Sequence, residues 1–178
     1  AMGLHGAPGS EVFFSNHTGT HTTSVTFFPG TGATIRNSES DIRYSPVINT
    51  SRADDVDADI TVLPSPTDER VTRHRSGNYL ADFDVNPKLA AYICGHDNTI
   101  TLKKGAEDLQ LREDDPHYIM IGPLSSAAGG AHTPARGCQV DNRTGLPVLF
   151  SAASENCVLR TNGEVVEDRG EGNEVTKI

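Results

Sequence analysis

The chain has 178 residues, a formal net charge of −9, a pI near 5.1 and 35% hydrophobic residues with no Trp. That length suits one domain, and the acidic balance argues against nucleic acid as a partner, because each phosphate contact needs a cation. No run reaches the roughly 20 apolar residues that span a bilayer, so no membrane span is expected.

Residues 1–10, Ala-Met-Gly-Leu-His-Gly-Ala-Pro-Gly-Ser, read as a disordered tag or linker. A β-rich domain is expected over 11–167, with a possible seam at 64–78 and a frayed charged tail at 168–178. Apolar residues come in short bursts at 12–14, 25–28, 60–63, 89–94, 118–121 and 146–150, separated by Ser, Thr, Gly and Pro. Short bursts bounded by turn residues predict strands. Two strands are expected within 11–28, with Phe13, Phe27 and Phe28 as core candidates. Weaker strands follow at 33–36 and 42–44, then a strand at 60–63 that ends at Pro64 and Pro66. Residues 79–85 alternate apolar and polar, as a half-buried strand does. Strands at 89–94 and 99–103 flank Gly95-His-Asp-Asn98, a turn signal. The segment 104–112 is the one place for a short helix. Strands at 118–121, 146–151, 157–161 and 164–167 complete the chain, with Asn162-Gly163 reading as a hairpin turn. No internal repeat is visible. The pattern predicts an all-β fold: a single antiparallel β-sandwich, or a barrel-like variant, with long polar loops and at most one short helix.

Cys94, Cys138 and Cys157 have no C-x-x-C spacing, which argues against zinc or thioredoxin-type chemistry. Cys138 and Cys157 flank an expected hairpin and are the candidate disulfide, leaving Cys94 over; the alternative is three small buried hydrophobes. Sequons at Asn16, Asn49 and Asn142, with the Ser/Thr-rich composition, point toward a secreted or surface-displayed glycoprotein in an extracellular or virion-surface setting.

Three places could hold chemistry. Asp55, Asp57 and Asp59 alternate, so on a strand they would line one face and offer oxygen ligands to calcium. The calcium-loop pattern is incomplete, since Ile60 stands where Gly belongs, and the alternative is a solvated acidic edge. Tyr44 and Tyr79 could stack on a sugar, and Arg73, His74 and Arg75 form a short basic run in the longest polar connection. The segment from Cys138 to Leu149 resembles the nucleophile loop of chymotrypsin-like proteases, with Thr144 in the nucleophile's place and Arg143 where an acidic residue is usual. The N-terminal half offers no matching histidine motif, so the plainer reading is a strand after a Thr-Gly turn. G-x-S-x-G, S-x-x-K and P-loop motifs are absent.

The expected function is a non-catalytic binding module recognising a glycan or a host or partner protein, with no cofactor beyond a possible calcium ion. The alternatives are a self-assembling surface, capsid or fibre domain, and a hydrolase whose site the sequence does not display.

Overall fold

The computed structural model describes residues 2–13, 25–42, 46–64, 89–106, 117–123 and 133–178. Its strands are β1 (Met2–His5), β2 (Glu11–Phe13), β3 (Val25–Phe28), β4 (Thr34–Ile42), β5 (Ile48–Asn49), β6 (Asp57–Pro64), β7 (Leu89–Ile93), β8 (Gly95–His96) and β9 (Thr99–Lys104). They continue with β10 (Tyr118–Ile121), β11 (Ala135–Arg136), β12 (Gln139–Arg143), β13 (Val148–Phe150), β14 (Ser154–Glu155), β15 (Val158–Thr161), β16 (Val165–Asp168) and β17 (Glu174–Lys177).

Every strand pairing among the described residues is parallel. Sheet A runs β1-β3-β5-β7-β10-β13-β16, sheet B runs β2-β4-β6-β9-β12-β15-β17, and the short sheet C is β8-β11-β14. The chain therefore makes one strand in sheet A, crosses to sheet B (through sheet C in the middle coils), and returns to sheet A one layer on. Seven such coils stack into a parallel β-helix.

This corrects the antiparallel sandwich. The elements among the described residues are all strands, with no helix, but they pair only in parallel and no hairpin exists at either expected place. Asn162-Gly163 joins β15 of sheet B to β16 of sheet A, and Gly95–Asn98 is a corner carrying β8. The segment between Cys138 and Cys157 is nearly a full coil rather than a hairpin. The expected helix at 104–112 extends past the described residues at 106, and the strand at 79–85 lies outside them.

The physical reason lies in the apolar bursts. A strand of an antiparallel sandwich wets one face and alternates, whereas a parallel strand covered on both faces is apolar throughout. β10 and β13 are buried at every position, and β7 at all but its first. The sheet B strands do alternate: β9 and β12 bury Ile100, Leu102, Val140 and Asn142 and turn their neighbours outward.

The interior is built from columns. In sheet B, Val12, Ile35, Ala58, Ile100, Val140, Leu159 and Val175 stack in register, one per coil. In sheet A, Leu4, Phe27, Ile48, Ala91, Ile119, Val148 and Val165 do the same. The coils have uneven lengths. The interval from Asp57 to its partner Thr99 is nearly double that from Thr34 to Asp57, and the interval from Val158 to Glu174 is the shortest. Uneven intervals erase any fixed period in the sequence.

Both ends of the chain join the coil. Residues 2–5, expected in a linker, pair with β3, and residues 174–177, expected in a frayed tail, pair with β15. Phe13, expected in the core, is 75% exposed, because β2 turns Val12 inward and Phe13 outward. Phe28 also points away from the interior, and its ring stacks on His5 of the preceding coil at 4.7 Å.

Polar groups inside the coil are satisfied at its corners. Asn98 is fully buried; its amide donates to the carbonyls of Ala53 and Cys94, and its Oδ1 accepts from the Val56 amide one coil earlier. Asn173 caps the Cys157 amide in the same way. Gly95 has φ 80°, and a Cβ there would collide with the Ala53 carbonyl, so this corner needs glycine.

Candidate functional site

Strand alternation sends every second residue of sheet B into solvent, and parallel registration aligns those residues across coils. The outward row over β4, β6, β9, β12 and β15 contains Thr34, Asp57, Thr99, Gln139 and Val158. The next outward row over β6, β9, β12 and β15 contains Asp59, Thr101, Asp141 and Arg160. A third holds Glu39, Thr61, Lys103 and Arg143. A bulge between Ile35 and Ser38, with Asn37 at φ 48°, keeps Arg36 outward while Ser38 returns to the interior. The face is a registered array of hydroxyls, amides and charges on a parallel sheet.

Ion pairs cross this array. Arg36 grips Asp57 of the next coil through both guanidinium nitrogens. That bond holds the Asp57 carboxyl below its ordinary value and raises the Arg36 guanidinium; burial and the nearby charges are lesser influences. Lys103 Nζ donates to Asp59 at 2.9 Å. Asp141 receives Arg143 at 3.0 Å and Arg160 at 3.7 Å. Each pair is at least partly exposed, so each steadies side-chain geometry more than it stabilises the fold.

The expected calcium face is rearranged. Asp57 and Asp59 do point outward from β6, but Asp55 lies before the strand in a bend with φ 52°. The two strand carboxylates face Arg36 and Lys103 rather than each other. Among the described residues, no three His, Cys, Asp or Glu side chains gather as metal ligands. Tyr44, Tyr79, Arg73, His74 and Arg75 lie outside the described residues.

Cys138 and Cys157 stand on adjacent coils, each just before registered partners Gln139 and Val158. All three thiols are free and buried. Cys138 donates to the Gly95 carbonyl at 3.2 Å and Cys157 to the Ala135 carbonyl at 3.6 Å. They occupy the corner position that Asn98 and Asn173 fill in other coils. Their bond to each other, together with burial, holds the Cys138 proton on well above the ordinary thiol range. Burial pushes the Cys94 thiol up to about 12. Cys94 and Cys138 are therefore poor nucleophiles, because the thiolate is the reactive form, whereas the bond to Cys138 lowers the buried Cys157 thiol.

Thr144 is likewise structural. Its hydroxyl donates to Asn142 Oδ1 at 2.6 Å and accepts from the Leu146 amide at 3.1 Å, closing the turn before β13. The Asn142 sequon has no outward acceptor: its side chain is fully buried and donates to the Leu146 carbonyl and the Thr161 hydroxyl.

Reasoning from sequence missed Arg36, Thr99, Thr101, Lys103, Gln139, Asp141, Arg143 and Arg160 as one surface. A signal was present. Residues 99–103 and 139–143 alternate with polar residues in the same phase, but only the parallel register places Lys103 beside Arg143. Comparison with protein-family models and with curated proteins finds no match to this chain.

Proposed function

We propose that the chain is a non-catalytic recognition module whose binding surface is the outer face of sheet B, and that its ligand is an extended glycan. The observation that carries this reading is the registered ladder of Thr34, Asp57, Thr99, Gln139, Thr101 and Asp141 on one solvent-facing sheet. Closely spaced hydroxyl, amide and carboxylate groups held in register on one sheet suit repeated hydrogen bonding to a linear polymer. Hydrolysis of a glycan would need a carboxyl held protonated near neutral pH. The Asp57 carboxyl of this face is instead held below its ordinary value by its bond to Arg36. A secreted or surface-displayed setting remains part of the proposal and rests on the Ser/Thr-rich composition.

Gel retardation against a panel of soluble polysaccharides, with calcium and with a chelator, tests it. Thr101→Trp, at the middle of the face, is expected to abolish retardation with an unchanged melting temperature, while Arg52→Trp, at an exposed corner, retains it. Equal binding by both variants would move the site off this face.

A second reading, end-on self-association, is favoured by the last coil. β17 is an edge strand, and Val175 is 41% exposed in a column where Leu159 and Ile100 are fully buried. Light scattering across a concentration series separates the two readings. A monomer throughout removes self-association.

A further inference from the structure

We propose that the ligand of this face is an anionic polysaccharide, carrying a carboxylate or sulfate at regular intervals, that lies across the strands over Lys103, Arg143 and Arg160; this rests on the recognition reading above. The charges of sheet B are segregated along the coil axis. Outward side chains of β2, β4 and β6 include Glu11, Glu39, Asp57 and Asp59 against Arg36 alone. Those of β9, β12 and β15 include Lys103, Arg143 and Arg160 against Asp141 alone. A chain with 24 acidic and 15 basic residues thus concentrates cations on three consecutive coils of one face.

The arrangement within that patch is not what fold stability selects. Lys103 and Arg143 are directly registered partners on adjacent parallel strands. Like charges in that relation repel, and exposed ion pairs return little. Lys103 leans to Asp59, while Arg143 and Arg160 share the single carboxylate of Asp141. Three cations on two carboxylates leave one positive charge in excess. Each guanidinium carries five N–H donors, more than the shared Asp141 can accept, so donors stay directed at solvent. Lys103 and Arg143 recur at the strand spacing, about 4.8 Å, and Arg160 lies on the next coil one outward row over, opposite Asp141. A linear polymer with an anion on each repeating unit, laid along the coil axis, meets one cation per coil. The Thr99, Thr101 and Gln139 side chains beside them can hydrogen-bond its hydroxyls.

The test is retardation by polygalacturonate (carboxylate), heparin (sulfate), dextran and a neutral β-glucan, with single-stranded DNA as a further polyanion. Proteins compared are the unmodified chain, R143Q/R160Q, K103Q and the control R52Q, at an exposed corner off this face. The expected result is binding to one or both acidic polysaccharides and to neither neutral polymer nor DNA. Affinity should fall about tenfold or more between about 50 and about 500 mM salt. R143Q/R160Q should lose about tenfold and K103Q about threefold, with R52Q unchanged. The carboxylated and sulfated arms identify which anion is read. Binding to neutral polymers that equals acidic binding and ignores salt would overturn the anionic class and keep the recognition reading. DNA binding as tight as that of the acidic polysaccharides would overturn it as unselective charge attraction. Retention of no polymer at all would discard both. Should R143Q/R160Q fail to fold by circular dichroism, K103Q and the salt dependence decide.

Discussion

Sheets A and B have seven parallel strands each, yet their outer faces follow opposite chemistry. On sheet A, Tyr92, Tyr118, Met120 and Leu149 form a second apolar cluster outside the coil, with Met120 fully buried. On sheet B, the registered neighbours are Thr, Gln, Asp, Lys and Arg, and they meet water. Coil closure dictates only the inward face. The outer face is a separate choice, so the polar character of sheet B carries information about function that its inner columns do not.

The comparison breaks first at the large apolar side chains. Phe150→Ala, in the interior, is expected to cost about 3–5 kcal/mol, and Met120→Ala, on the outer face of sheet A, about 2–5 kcal/mol, read from urea midpoints. A loss below about 1 kcal/mol for Met120→Ala would mean the outer cluster is not a second core, and the two outer faces would differ less than their composition suggests.

Asn98→Ala tests the corners that separate the sheets. It strands the buried Val56 amide and the Ala53 carbonyl and leaves the Cys94 carbonyl with the Thr50 hydroxyl as its remaining donor, and a loss of about 1–3 kcal/mol is expected. Asn98→Asp keeps an acceptor for Val56 but removes the donors, so a cost close to that of Ala would assign most of the effect to the Ala53 and Cys94 carbonyls.

The charged face of sheet B should respond weakly and with pH. Arg36 lowers the Asp57 carboxyl from its ordinary 3.8, so the pair's stabilisation is present above that value and is lost as pH falls through the lowered one. Asp57→Asn is expected to cost at most about 1 kcal/mol at neutral pH, since both partners are substantially exposed, and nothing once the carboxyl is protonated. Urea titrations at neutral pH and at about pH 2.5 check the sign. A larger penalty in acid would assign the role to another group. Smallest of all, Thr99→Val should shift stability by no more than about 0.5 kcal/mol. Its effect belongs to ligand binding, and a greater change in stability would mean this exposed row supports the fold.

Parts of the fold were legible before any coordinates. The bursts at 25–28, 89–94, 118–121, 146–150 and 157–161 all contain strands, and Phe27 is in the core, because local apolar density reports strand existence directly. The candidate site was far less legible. Alternation at 99–103 and 139–143 shows that Lys103 and Arg143 face out, but not that they are neighbours. The Cys138–Cys157 proximity was anticipated from a hairpin that does not exist. The two residues meet because a coil returns each corner above the last.

The sequence by itself located the strands at 25–28, 60–63, 89–94, 99–103, 118–121, 146–150 and 157–161 and showed no helix-period stripe, but it turned Phe13 and Phe28 inward and left 2–5 and 174–177 out of the sheets. Tertiary structure alone decided the direction of pairing, the closure of seven coils and the meeting of Lys103, Arg143, Arg160 and Asp141 on one face. Alternation is a property of one strand and survives in one dimension. Register is a relation between strands separated by coils of unequal length, so it exists only once the backbone has closed and paired.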